Sequence, residues 1–183
     1  MEHKRKLLII GDSFAASTHA SSWVTGLGNF DVDNLASNGA SEYRLIKQIP
    51  ASIHQYANVI FVHTSPNRLY VENNPYHVNS ATHAKCDLIY SDIHSRLPDE
   101  YAGHVTWFFE NLFDIKQAEF VHELQVKYAQ SQLPNAVHIT FFEYMIPGVI
   151  NLHHVWKQHP GDINHMNAAG NAAVRKLIKR RLQ

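Results

Sequence analysis

Two short, uninterrupted apolar runs, Leu7 to Ile10 and Val59 to Val62, limit the fold more than anything else in the chain. Each is four residues long and rich in β-branched side chains, which suits a strand better than a helix. Continuous rather than alternating hydrophobicity means that both faces of the strand are covered, as in the centre of a parallel sheet flanked by helices. Phe30 to Leu35 alternates apolar with polar residues and is expected nearer an edge, and Ala136 to Phe142 reads as a further strand. Helical stripes lie between them: Leu45, Ile46 and Ile49 within 41–56, a segment over 104–132 broken near Asp114, and Val174, Leu177, Ile178 and Leu182 at the end. The fold expected is α/β, one three-layer α/β/α domain over 1–183 with a flavodoxin-like parallel sheet of four to five strands. Its order is 2-1-3-4 with right-handed crossovers, and no fifth strand stands out.

Composition narrows the function classes. A chain of 183 residues, 45% apolar with three Trp and nine Phe, can bury a core without a second domain. Lys plus Arg and Asp plus Glu number 16 each, so no net field favours nucleic acid or an anionic membrane as a partner. Cys86 is the single cysteine, which excludes an internal disulfide. Lys4-Arg5-Lys6 followed by Leu7-Leu8-Ile9-Ile10 looks like the start of a secretory signal, but Asp12 ends the apolar run too early. No stretch approaches the about 18 apolar residues of a membrane helix. The expectation is a soluble, cytoplasmic protein.

Chemistry-bearing residues fall at both ends. Gly11-Asp12-Ser13-Phe14 follows the first strand, and Asp162-Ile163-Asn164-His165 precedes the last helix. A serine hydroxyl becomes nucleophilic when an imidazole removes its proton and a carboxylate orients the imidazole, so Ser13, Asp162 and His165 are the minimum set for acyl transfer. Ser13, Gly39 and Asn67 each lie a few residues past the carboxyl end of one of the first three strands. Parallel strands bring these ends to one edge, where open α/β sheets bind ligands.

These motifs, with Asn34-Leu35-Ala36-Ser37-Asn38-Gly39-Ala40-Ser41, Thr64-Ser65-Pro66-Asn67 and Met166-Asn167-Ala168-Ala169-Gly170, resemble the four blocks of the SGNH (GDSL-type) hydrolases. The resemblance spans residues 5 to about 180. The third block departs from the usual Gly-x-Asn-Asp, with Ser65 in place of the glycine and Arg68 in place of the second acid. The resemblance implies a serine esterase working through an acyl-Ser13 intermediate, without a cofactor. His165 would be the base and Asp162 its orienter. An oxyanion hole would comprise the Ser13 and Gly39 backbone N–H groups and the Asn67 amide. The implied substrate is a small-molecule or carbohydrate ester with a short acyl or acetyl group.

Blander readings stand beside these. Gly-Asp-Ser suits a turn with a helix N-cap, Asp162 suits a cap for the last helix with His165 in its first turn, and Pro66-Asn67 is good turn chemistry. Arg68, Tyr70 and Trp156 are candidate substrate contacts; Arg68 either pairs with a substrate carboxylate or phosphate or is a solvated loop charge. The long connection from Tyr70 to Gly103 contains Tyr76, His77, His83 and an expected helix around Ala84 to Leu97, and forms either a lid or a surface elaboration. His153, His154 and His159 lack the spacing of a His-Glu-x-x-His site, so no metal is expected. The basic end, with Arg175, Lys176, Lys179, Arg180 and Arg181, is explained by the helix dipole without nucleic acid. The alternative function is a binding module that keeps the fold without turnover and recognises a glycan or a protein.

Overall fold

The computed structural model describes residues 4–16, 21–72, 74, 86–90, 99–161 and 165–182. Five parallel strands form one sheet in the order β2-β1-β3-β4-β5: β1 Arg5–Gly11, β2 Phe30–Asn34, β3 Asn58–His63, β4 Val137–Thr140 and β5 Ile150–Asn151. Both apolar runs become central strands, in register through Leu8↔Val59 and Ile9↔Ile60, and the alternating segment becomes edge strand β2. A fifth strand exists, but it is two residues long and aligns Ile150 with Ile139. The fold is of the flavodoxin-like α/β type.

Side-chain alternation divides the core between the two faces of the sheet. Leu7, Ile9, Ile60, Val62 and Ile139 point to the face covered by Trp23, Leu27 and helix α5 (Ala168–Arg181), which contributes Val174 and Ile178. Leu8, Ile10 and Phe61 point the other way, towards Leu45 of α1 (Glu42–Lys47) and Ala129 of α3 (Ile115–Gln132). The connection after β1 thus packs on one face and those after β2 and β3 on the other. This arrangement opens a crevice between β1 and β3 at their carboxyl ends.

Local chemistry sets the helix ends. The break expected near Asp114 separates α2 (Asp99–Asn111) from α3, and the Asp114 carboxylate caps α3 by accepting from the N–H groups of Lys116 and Gln117. Helix α1 stops at Lys47, short of the expected 41–56 stretch, because Pro50 disfavours helical backbone at Ile49. Only a single 3₁₀ turn follows, at Ile53–Gln55. Of the helix expected around Ala84 to Leu97, residues 86–89 are not helical and Tyr90 begins a 3₁₀ turn: Leu88 bridges Leu69 in antiparallel fashion and packs beside Val105 and Phe109 of α2. The rest of that stretch, with Tyr76, His77 and His83, lies outside the described residues. Short helix α4 (His153–Gln158) lies between β5 and α5.

Candidate active site

Ser13 sits in a turn immediately beyond β1, where the backbone is shaped by its neighbours. Asp12 is fully buried, accepts from the Phe14 N–H at 3.0 Å through Oδ1 and from the Thr64 hydroxyl at 3.0 Å through Oδ2. Its carbonyl accepts from the N–H groups of Ala15 and Ala16. Over the described residues 12–16 the segment is a turn, shaped by the side chain and the carbonyl of Asp12 together. Gly11 is required before it, since a Cβ there would lie 2.8 Å from Val62 Cβ and 2.9 Å from Ala15 Cβ. Burial raises the Asp12 pKa above the usual carboxylate value, opposed by the nearby Arg68 guanidinium, the Phe14 N–H and the Thr64 hydroxyl.

His165 arrives from the far end of the chain. Its carbonyl accepts from the Gly161 N–H at 2.7 Å, and Asn167 donates to the His159 carbonyl, so the two sides of the His165 loop are clasped. Asn167 caps α5 by accepting from the Gly170 N–H, which leaves His165 outside the helix and removes the reading of it as a first-turn residue. Asp162 lies outside the described residues.

Ser13 and His165 line one cavity of about 400 Å³, together with Phe14, Pro160, Met166 and Asn171. The Phe14 ring forms its floor, stacked on Phe141 at 4.6 Å and 5.2 Å from the His165 ring centroid. Two residues not singled out in the sequence hold these ends together. Trp23 donates through its indole N–H to the Phe14 carbonyl at 2.8 Å, and its backbone N–H donates to Asn171 Oδ1 at 3.0 Å. The Asn171 amide then donates to the carbonyls of Met166 and Asn167, each at 3.0 Å. A hydrogen-bonded path thus runs from the neighbour of Ser13 to the neighbour of His165. Neither residue carries a motif, and only their burial in the folded chain marks them.

The chain matches no protein-family model and no curated protein. The site therefore rests on its own geometry.

Of the remaining candidates, Asn67, Arg68, Tyr70 and Trp156 line other concavities. Asn67 is exposed and lines a groove of about 610 Å³ with Trp156, Tyr144 and His153. Ser65, standing where a glycine was expected, closes that loop as its hydroxyl accepts from the Asn67 N–H at 3.2 Å. Arg68 and Tyr70 line a third cleft of about 300 Å³ with Phe108, Phe113 and His122. Tyr70 also accepts from Lys47 Nζ at 2.8 Å. Gly39 is buried at φ 68°, in the left-handed region that favours glycine, and a Cβ there would stand 2.5 Å from Cys86 Sγ and 3.2 Å from Arg68 Nη1. Its position is dictated by close packing as well as by any role for its N–H. Trp156 touches Phe14 edge-on at 5.3 Å, so a residue of the Asn67 groove packs against one of the Ser13 cavity. Among the described residues no three His, Cys, Asp or Glu side chains group to hold a metal ion, and no helix is long and apolar enough to cross a membrane.

Proposed function

We propose that this chain is a serine hydrolase cleaving an ester through an acyl-Ser13 intermediate, with a short acyl or acetyl group on a carbohydrate or small metabolite as its substrate. The observation that carries this reading is the shared cavity of Ser13 and His165, contributed by opposite ends of the chain and tied together through Trp23 and Asn171. The resemblance of the sequence blocks to the SGNH hydrolases supports the same chemistry.

In this mechanism His165 takes the Ser13 Oγ proton as the oxygen attacks the ester carbonyl, then gives it to the departing alcohol. Water, deprotonated by His165, next attacks acyl-Ser13; the acid leaves and the serine recovers its proton. Asp162 would orient the imidazole. Backbone N–H groups of Ser13 and Gly39 would receive the developing oxyanion. Asn67 would have to turn from its own groove to join them.

A binding module of the same fold is the second reading, favoured by the placement of Asn67 in a different groove from Ser13. Hydrolysis of 4-nitrophenyl acetate separates the two. The wild-type chain is expected to turn it over, and Ser13→Ala and His165→Ala to lower the rate by about 10²- to 10⁴-fold. A fluorophosphonate should label Ser13. Equal rates in all three proteins, without labelling, would leave the binding module.

A further inference from the structure

Behind the Ser13 turn lies a second set of titratable side chains that the proposed reaction does not use. His63 ends β3, His138 lies on neighbouring β4, and Glu42 occupies the first turn of α1; their exposures are 0%, 6% and 2%. Glu42 Oε1 is 2.7 Å from His63 Nδ1, His63 Nε2 is 2.9 Å from His138 Nδ1, and His138 Nε2 is 3.0 Å from the Leu133 carbonyl. Three buried groups thus form an unbroken line ending on a backbone acceptor.

The partners dictate where the protons are. A carbonyl can only accept, so His138 Nε2 carries a proton. Burial lowers the His138 pKa to about 4, although the Leu133 carbonyl works the other way; the ring is neutral and its Nδ1 is bare. His63 Nε2 must then donate to it. One proton remains for the 2.7 Å contact between His63 Nδ1 and Glu42 Oε1. Burial alone would raise the Glu42 pKa, but His63 and His122 overcome it and bring it down to about 2. Glu42 Oε2 also accepts from the Thr64 N–H at 3.2 Å and stands 3.6 Å from His122 Nε2. Both neighbours favour the carboxylate. A carboxylate can only accept, so with Glu42 in that form the donor in this contact is the His63 Nδ1–H.

The line reaches Ser13 through Thr64. Its N–H is held by Glu42, its carbonyl accepts from the Tyr144 hydroxyl at 3.1 Å, and its own hydroxyl donates to the Asp12 carboxylate that shapes the Ser13 turn. We propose that Glu42, His63 and His138 are a positioning relay for Ser13, a hydrogen-bonded line with an imidazolium at its centre that fixes the Glu42 carboxylate and through it holds Thr64 against Asp12. Its effect on turnover rests on the hydrolase reading above; its protonation state and its hold on the turn do not. The other titratable or charged groups facing it are Asp12, His122, Tyr144 and Arg68.

Replacement of Glu42 offers a sharp test. In Glu42→Gln the amide nitrogen can donate to a neutral His63 Nδ1 while the amide oxygen still accepts from Thr64, so every hydrogen bond survives without charge. Glu42→Ala leaves both partners open. In the wild type at pH 7, long-range ¹H–¹⁵N correlation is expected to show both His63 nitrogens protonated and His138 Nδ1 bare; a bare nitrogen on His63 would overturn the assignment. Hydrogen exchange of the Phe14 and Thr64 amides is expected to accelerate at least tenfold in Glu42→Ala and to return within threefold of wild type in Glu42→Gln. With 4-nitrophenyl acetate, kcat should fall at least tenfold in Glu42→Ala with KM within threefold, and Glu42→Gln should recover most of the loss. Equal exchange in all three proteins would overturn the positioning role. Absence of hydrolysis by the wild type would instead remove the hydrolase reading and leave the relay to be judged by the nitrogen signals and the amides.

Discussion

Asn171 joins two stretches of backbone with one amide: it accepts from Trp23 and donates to the adjacent carbonyls of Met166 and Asn167, and the residue is buried. Its loss strands the Trp23 N–H and the Met166 carbonyl. Asn171→Ala is expected to lower the unfolding free energy by about 1 to 3 kcal/mol in a denaturant titration. Under the hydrolase function proposed above, it should also reduce turnover of 4-nitrophenyl acetate more than tenfold, since the His165 loop would no longer be tied to the Trp23 and Phe14 segment. An unchanged titration midpoint would show that these hydrogen bonds do not hold the two ends together.

Helix α1 illustrates how an element too short to persist alone is kept in place. Six residues fall well below the length at which an isolated helix is stable in water, so α1 depends on tertiary anchors. Leu45 provides one, packed beside Ala129 and Phe61. The other is Asp87, fully buried, which receives Arg44 Nε at 2.9 Å and Nη2 at 2.7 Å in a two-pronged pair, as well as the N–H groups of Ser41 and Val71. The pair ties the helix that carries Glu42 to the segment beyond β3. Because removal of one member leaves a charge uncompensated away from water, Arg44→Met is expected to cost about 3 kcal/mol. Equilibrium unfolding monitored by circular dichroism would measure this, and a loss below about 1 kcal/mol would show that the guanidinium is dispensable.

At the scale of the molecule, the buried titratable groups make stability depend on pH in a definite sense. His138 has its pKa lowered from 6.5 to about 4, so between these values the unfolded chain takes up a proton that the folded chain refuses. Its contribution is complete above pH 6.5 and declines as pH falls towards 4. Glu42, lowered from 4.5 to about 2, acts in the same sense at lower pH. Asp12 is raised by burial and opposes them: its contribution is full below its ordinary value and is lost as pH rises through its folded one. The unfolding free energy is expected to fall by up to about 3 kcal/mol from pH 7 to pH 4. Denaturant titrations across that range would test it, and a flat profile that persists in His138→Gln would show that His138 takes up its proton as readily folded as unfolded.

The chain by itself determined what depends on neighbours in sequence. Uninterrupted hydrophobicity at 7–10 and 59–62 placed two strands in the centre of a parallel sheet, alternation at 30–35 placed another at the edge, and Asp114 marked the joint between two helices, since each signal follows from covering one or two faces or from capping a free N–H. Strand order then brought Ser13, Gly39 and Asn67 to one edge. Tertiary structure alone decided which of them share a cavity: Ser13 meets His165, while Asn67 and Arg68 turn to other grooves. It also decided the short strand at Ile150–Asn151, whose two residues carry no period of their own. The meeting of Glu42, His63 and His138 depends on a helix landing beside two strands whose register aligns Phe61 with His138. No spacing along the chain encodes that contact, because desolvation and hydrogen bonding act between side chains only after the backbone has brought them within 3 Å.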